Sequence, residues 1–101
     1  MEAENPKLRG TGRTHRAIEA IEGNAVFLVH SYAMKAHAQM IIAKTRKEGI
    51  KVLVIIDNWS LFMIKGIRLP VHCDHELWRR CPDIIRNELL AHPRFVKLDV
   101  A

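Results

Sequence analysis

The chain reads as a small α/β protein with three layers and a mainly parallel sheet of about four strands. Three observations point there. Two almost unbroken apolar runs of strand length, Ala25–His30 (AVFLVH) and Ile50–Ile56 (IKVLVII), suit strands that are covered on both faces. Segments whose apolar residues recur at helical spacing stand before, between and after these runs. The connections are long enough for the helical crossovers that parallel strands need.

In chain order, residues 1–9 form a polar N-terminal tail containing Pro6, and residues 10–101 form one domain. The segment from Gly10 to Gly12 is expected to be a loop opening a helix over Thr14–Glu22, where Ala17, Ile18 and Ile21 fall on one face. Gly23 and Asn24 end that helix, and Ala25–His30 follows as a buried strand rich in β-branched and aromatic residues. The spacing from Tyr32 to Glu48 predicts a helix with Ser31 as N-cap, basic last turns and Gly49 as C-cap. Ile50–Ile56 is the second strand, with Asp57 and Asn58 as a turn or cap at its carboxyl end, and Trp59–Lys65 is a short helical turn. Ile67–Cys73 (IRLPVHC) reads as a third strand made irregular by Pro70, which has no N–H to give to a ladder. Pro82 starts a helix with the stripe Ile84, Ile85, Leu89 and Leu90, ending near His92 and Pro93, and Arg94–Val100 alternates into a last strand.

A length of 101 residues suits a single core, and 49% hydrophobic with 27% charged residues excludes a disordered or collagen-like chain. No apolar run approaches the roughly twenty residues of a membrane span. Two cysteines make no disulfide framework, and the start MEAENPKLRG lacks a secretory apolar region, so a soluble, reduced, cytoplasmic protein is expected. Sixteen Lys and Arg against eleven Asp and Glu give +5, and the stretch Lys7–Arg16 carries four of those positive charges with no acid. Acidic partners are therefore favoured.

GTGRTH, Gly10 to His15, is the motif with the clearest chemistry. Two glycines let a backbone curl around a phosphate, Arg13 adds charge, and the Thr14 hydroxyl suits Mg²⁺. Gly12 and Thr14 match the phosphate-loop pattern G-x-x-x-x-G-K followed by Ser or Thr, and Arg13 matches its lysine in charge. A second element, VHCDHEL, ends a later strand in Asp74, His75 and Glu76. A carboxylate there can hold Mg²⁺ and a neighbouring glutamate can orient water. Asp57 competes for the acidic role.

These residues, with the intervening AVFLVHSYAMKAHAQM, resemble the order of motifs in the first RecA-like half of helicase-type P-loop NTPases. They are also similar to small bacteriophage proteins that carry R-G-T-G-R-T-T, an apolar strand and a later D-H element. The resemblance runs from Arg9 to about Trp78. It implies a P-loop-like fold with Gly10, Thr11, Gly12, Arg13 and Thr14 as the phosphate loop and Asp74 with His75 as the second acidic element. It further implies Thr14 and Asp74 as metal residues, Glu76 as catalytic residue, ATP or GTP with Mg²⁺ as cofactor, and a phage origin. The chain departs from the pattern in lacking an apolar strand before the loop and in carrying arginine for lysine, a wider planar fork.

The expected function is therefore binding of a nucleotide or another phosphate-bearing anion with weak or no hydrolysis. Two alternatives stand beside it: an interaction protein on a degenerate P-loop fold, acting on a host or virion partner, and a basic nucleic-acid-binding protein. With no second RecA-like domain to supply an arginine finger, a motor cycle would need a protein partner or a homo-oligomer. His72, Cys73, His75 and Cys81 lie close in sequence, yet their spacing is not a zinc pattern, and His72 and Cys73 would face opposite sides of a strand. Lys44–Lys51 is a basic stretch without interleaved aromatics. Trp59 and Trp78 are expected in the core or at a partner contact, and Met34, Met40 and Met63 as core fillers.

Overall fold

The computed structural model describes residues 6–97, and of residues 6–12, 58 and 59 the backbone alone. The elements are α1 (Pro6–Ala20), β1 (Ala25–Val29), α2 (Tyr32–Thr45), β2 (Ile50–Val54), a 3-10 helix (Asn58–Ile64), β3 (Val71–Cys73), α3 (His75–Arg80) and α4 (Asp83–Ala91).

β1 is the middle strand of a three-stranded parallel sheet ordered β2-β1-β3. Each of its five residues is buried, as its unbroken apolar run requires of a strand covered on both sides. Phe27 pairs in register with Val52 on one side and His72 on the other. Alternation along the strands divides the interior into two cores. Phe27, Val29, Val52 and Val54 face Ile18 from α1 and Ala38 and Ile41 from α2. Val26, Leu28 and Val71 face Leu61 from the 3-10 helix, Leu77 from α3 and Leu89 from α4. Helices thus cover both faces of the sheet.

Several boundaries differ from the expectations. α1 begins at Pro6 and runs through Gly10–Thr14, so that segment is helix and not loop. Its packed half, with Thr14 and Ile18 buried one turn apart, supplies the nucleus. Once nucleated, a helix propagates cheaply through Lys, Leu and Arg, against about 1 kcal/mol for each interior glycine. Residues 6–9 therefore belong to α1, while residues 1–5 of the expected tail lie outside the described residues.

α2 stops before Gly49, because Arg46 adopts the left-handed conformation (φ 60°, ψ 39°) and its N–H returns to the Ile42 carbonyl. The Ser31 cap is as expected, its Oγ accepting from the Met34 N–H at 3.1 Å. β3 is only Val71–Cys73, since Pro70 offers only a carbonyl, which accepts from the Val26 N–H at 2.9 Å. The last strand is reduced, among the described residues, to one parallel bridge between Val71 and Phe95, with residues 98–100 outside the description. The described sheet has three strands where about four were expected.

Met34 packs on the first core, whereas Met40 and Met63 are exposed and fill no core gap. Trp78 is half-buried and stacks on Phe95 at 5.6 Å, as a core contact should, while the Trp59 side chain lies outside the description. Among the described residues no helix is long and apolar enough to cross a membrane.

Candidate functional site

In an open parallel sheet, ligands are taken at the carboxyl ends of the strands, between neighbours whose connections leave for opposite faces. Here β1 stands in that relation to both of its neighbours, since β2 is followed by the 3-10 helix over the second core. After β1 the chain turns at His30 and Ser31 into α2, over the first core; after β3 it turns at Asp74 into α3, whose Leu77 joins the second.

Asp74 is the centre of this end. Its N–H donates to the Leu28 carbonyl at 2.8 Å, extending the ladder by one bond, and its side chain is fully buried. Oδ1 accepts from the Thr14 hydroxyl at 2.9 Å, and Oδ2 accepts from the Glu76 N–H at 3.2 Å, which caps α3. Burial raises the carboxyl pKa above its ordinary range, opposed by the bond from Thr14, the bond from Glu76 and the nearby His30. Beside this pair, Arg13 Nη1 donates to Nε2 of His75. A guanidinium has no acceptor, so Arg13 is the donor of this pair.

Glu76 is held by two arginines, accepting from Arg80 Nε at 2.9 Å and Arg79 Nη1 at 3.4 Å. Arg80, ahead of Arg79, pulls the Glu76 carboxyl below its ordinary pKa. A carboxylate held in that way is a poor base.

The expected site residues therefore separate into two groups. The structure brings Arg13, Thr14, Asp74, His75 and Glu76 together, joining residues sixty positions apart. Gly10, Thr11 and Gly12 lie on the helical backbone of α1, where amides are engaged in the helix and form no phosphate-cradling loop. The phosphate-loop geometry expected of Gly10–Thr14 is thereby corrected. Asp57 takes no part: it caps the 3-10 helix, accepting from the Ser60 N–H at 3.0 Å.

Both Asp74 oxygens accept hydrogen bonds from within the fold and the carboxyl is fully buried, while the Thr14 hydroxyl donates its proton to one of them and keeps its lone pairs. Among the described residues no three His, Cys, Asp or Glu side chains come together to hold a metal ion. His72 and Cys73 indeed diverge: Cys73 joins the second core, and burial drives its thiol pKa far upward, while half-buried His72 has its pKa lowered by desolvation.

Sequence reasoning missed His30 and Arg80. They line a cavity of about 190 Å³ with Ile55, Ile56, Leu77 and Cys81, at the carboxyl ends of β1 and β2. Among the described residues His30 Nδ1 and His37 Nε2 are buried without a hydrogen-bond partner. A buried unpaired donor or acceptor costs about 1–3 kcal/mol, so each of these two atoms is a local cost to the fold. The signal for His30 was its place as the polar end of an apolar strand; Arg80 carried none. The cavity has room for about six waters' share of liquid volume, enough for one phosphate-sized group and too little for a whole nucleotide.

The basic stretch Lys44–Lys51 is partly structural, because Lys47 Nζ donates to the Ile21 carbonyl at 2.7 Å and ties α2 to the end of α1. No family model matches the chain, and comparison with curated proteins and with solved structures likewise returns no match.

Proposed function

We propose that this protein binds a phosphate-bearing anion, a nucleotide being the first class to consider, at the carboxyl end of its sheet, with weak or no hydrolysis. The anionic group sits against His30 and Arg80 in the 190 Å³ cavity, and the rest of the ligand lies outside it. The observation that carries the reading is a cavity at the carboxyl ends of β1 and β2 whose lining includes both His30 and Arg80. An imidazole N–H can donate to an anion, and Arg80, whose Nε is on Glu76, has its Nη groups to offer phosphate oxygens. Arg13 bonds His75, the residue that follows Asp74.

Weak hydrolysis is supported by the position of Glu76, whose carboxylate is engaged by Arg79 and Arg80, and by the helical backbone at Gly10–Thr14. The Asp74–Thr14 pair acts in this reading as a positioning contact, holding α1 against the strand ends.

The test is a thermal melt with inorganic phosphate, ATP or GTP, with and without Mg²⁺. A ligand held only by the native state at ten times its Kd adds about 1.4 kcal/mol, which is roughly 6–11 °C for a domain of this size. His30→Ala and Arg80→Met should abolish the rise. If none of the three anions moves the wild-type melt, or if both variants keep the rise, the reading fails.

A further inference from the structure

A second concavity lies at the other end of the sheet and belongs to none of the chemistry above. It is a groove of about 620 Å³ between the 3-10 helix, the connection that follows it and the end of α4. That volume falls within the roughly 300–1,000 Å³ of ordinary binding pockets. Leu61, Ile64, Ile67, Ala91 and Pro93 give it apolar walls. The walls are fixed in advance: His92 Nε2 bonds the Ile64 carbonyl at 2.8 Å, joining the end of α4 to the 3-10 helix. The Arg94 carbonyl accepts from the Val71 N–H at 2.9 Å, tying the following residues to the amino end of β3. A preformed groove loses less entropy on binding.

Its rim is cationic. Lys65, Arg68 and Arg94 line it and are exposed, against the single acid Glu88. Lys65 rests over the Phe62 ring at 5.0 Å, and among the described residues neither Arg68 nor Arg94 is in an ion pair. The same stretch of chain exposes Phe62, Met63 and Leu69, so apolar surface extends along this segment beyond the groove.

We propose that this groove docks an acidic segment of a protein partner, seating an apolar side chain on Leu61, Ile64 and Ile67 while flanking carboxylates meet Arg68 and Arg94. An apolar floor with cations at its edge matches that chemistry on both counts. A nucleic-acid backbone would leave the apolar walls without a counterpart. A second copy of this chain would bring a +5 molecule against a cationic rim, so like charge opposes self-docking.

The experiment pans a library of random short peptides against the full chain, then measures the enriched peptides by fluorescence anisotropy against wild type and against the double variant Arg68→Glu, Arg94→Glu. Circular dichroism and a thermal melt establish that the variant is folded. Acid-rich peptides carrying an apolar residue should be enriched, should weaken as salt rises, and should lose at least about tenfold in affinity on the variant. A second variant, Ile67→Ser, keeps the charges and should weaken the same peptides. Failure to enrich any peptide, enrichment of basic or neutral ones, or unchanged affinity on the charge-reversed variant overturns the proposal. Self-association that the double variant abolishes overturns it in favour of an interface between copies.

Discussion

Replacing Thr14 by valine removes one hydroxyl at a site where water cannot take its place. Thr14 is 2% exposed and Asp74 is fully buried, and the bond between them spans 2.9 Å. Valine has nearly the shape of threonine and a similar helix propensity, so packing and α1 propensity largely cancel. What remains is the loss of a bond to a carboxylate, worth about 1.5–3 kcal/mol when the acceptor stays buried. A loss near 2 kcal/mol lowers Tm by roughly 8–16 °C in a domain of this size. Urea unfolding at neutral pH followed by circular dichroism measures it directly. Thr14→Ser is the control: it keeps the hydroxyl, loses one methyl, and should cost about 1 kcal/mol. A Thr14→Val loss below about 0.5 kcal/mol, or a serine variant less stable than the valine one, refutes the argument that this bond anchors α1 to the sheet.

Because burial raises the Asp74 pKa, the folded state holds its proton more tightly than the unfolded one. This group's contribution to stability is full below the ordinary carboxylate range and is lost as pH rises through the folded value. Asp74→Asn can donate to Thr14 and accept from the Glu76 N–H without burying charge, so it should flatten that slope and raise stability at neutral pH. An unchanged profile of urea midpoint against pH would count against it. Ser31→Ala removes the side chain that accepts from the Met34 N–H and should cost about 1 kcal/mol in the same assay. Arg46→Gly should stabilise by about 0.5–1 kcal/mol, since Arg46 holds a left-handed conformation that glycine adopts without strain. A destabilised glycine variant would mean that the Arg46 side chain contributes more than its backbone costs.

The lines of sequence that proved legible are those whose pattern is local. AVFLVH announced β1 because a strand buried on both faces admits almost no polar residue, and IKVLVII announced β2, an edge strand in which Ile50, Val52 and Val54 are buried while Lys51 is exposed. Ser31 and Pro82 announced the starts of α2 and α4 because capping acts within one turn. Gly10–Thr14 misled for the same reason. Two glycines in a short window read locally as a loop, while Thr14 and Ile18, buried on elements distant in sequence, hold that window in a helix.

An α/β chain with parallel strands, a basic N-terminal stretch and an acidic residue at the end of a strand are all legible in local pattern. Period and capping are properties of neighbouring residues, and neighbours are what a sequence records. Long-range packing places β1 between β2 and β3, turns Asp74 and not Asp57 toward α1, brings His30 and Arg80 to one cavity, and sets Arg68 and Arg94 on one groove. Those meetings depend on which face each crossover takes over the sheet, and that is settled by burying two opposed cores at once.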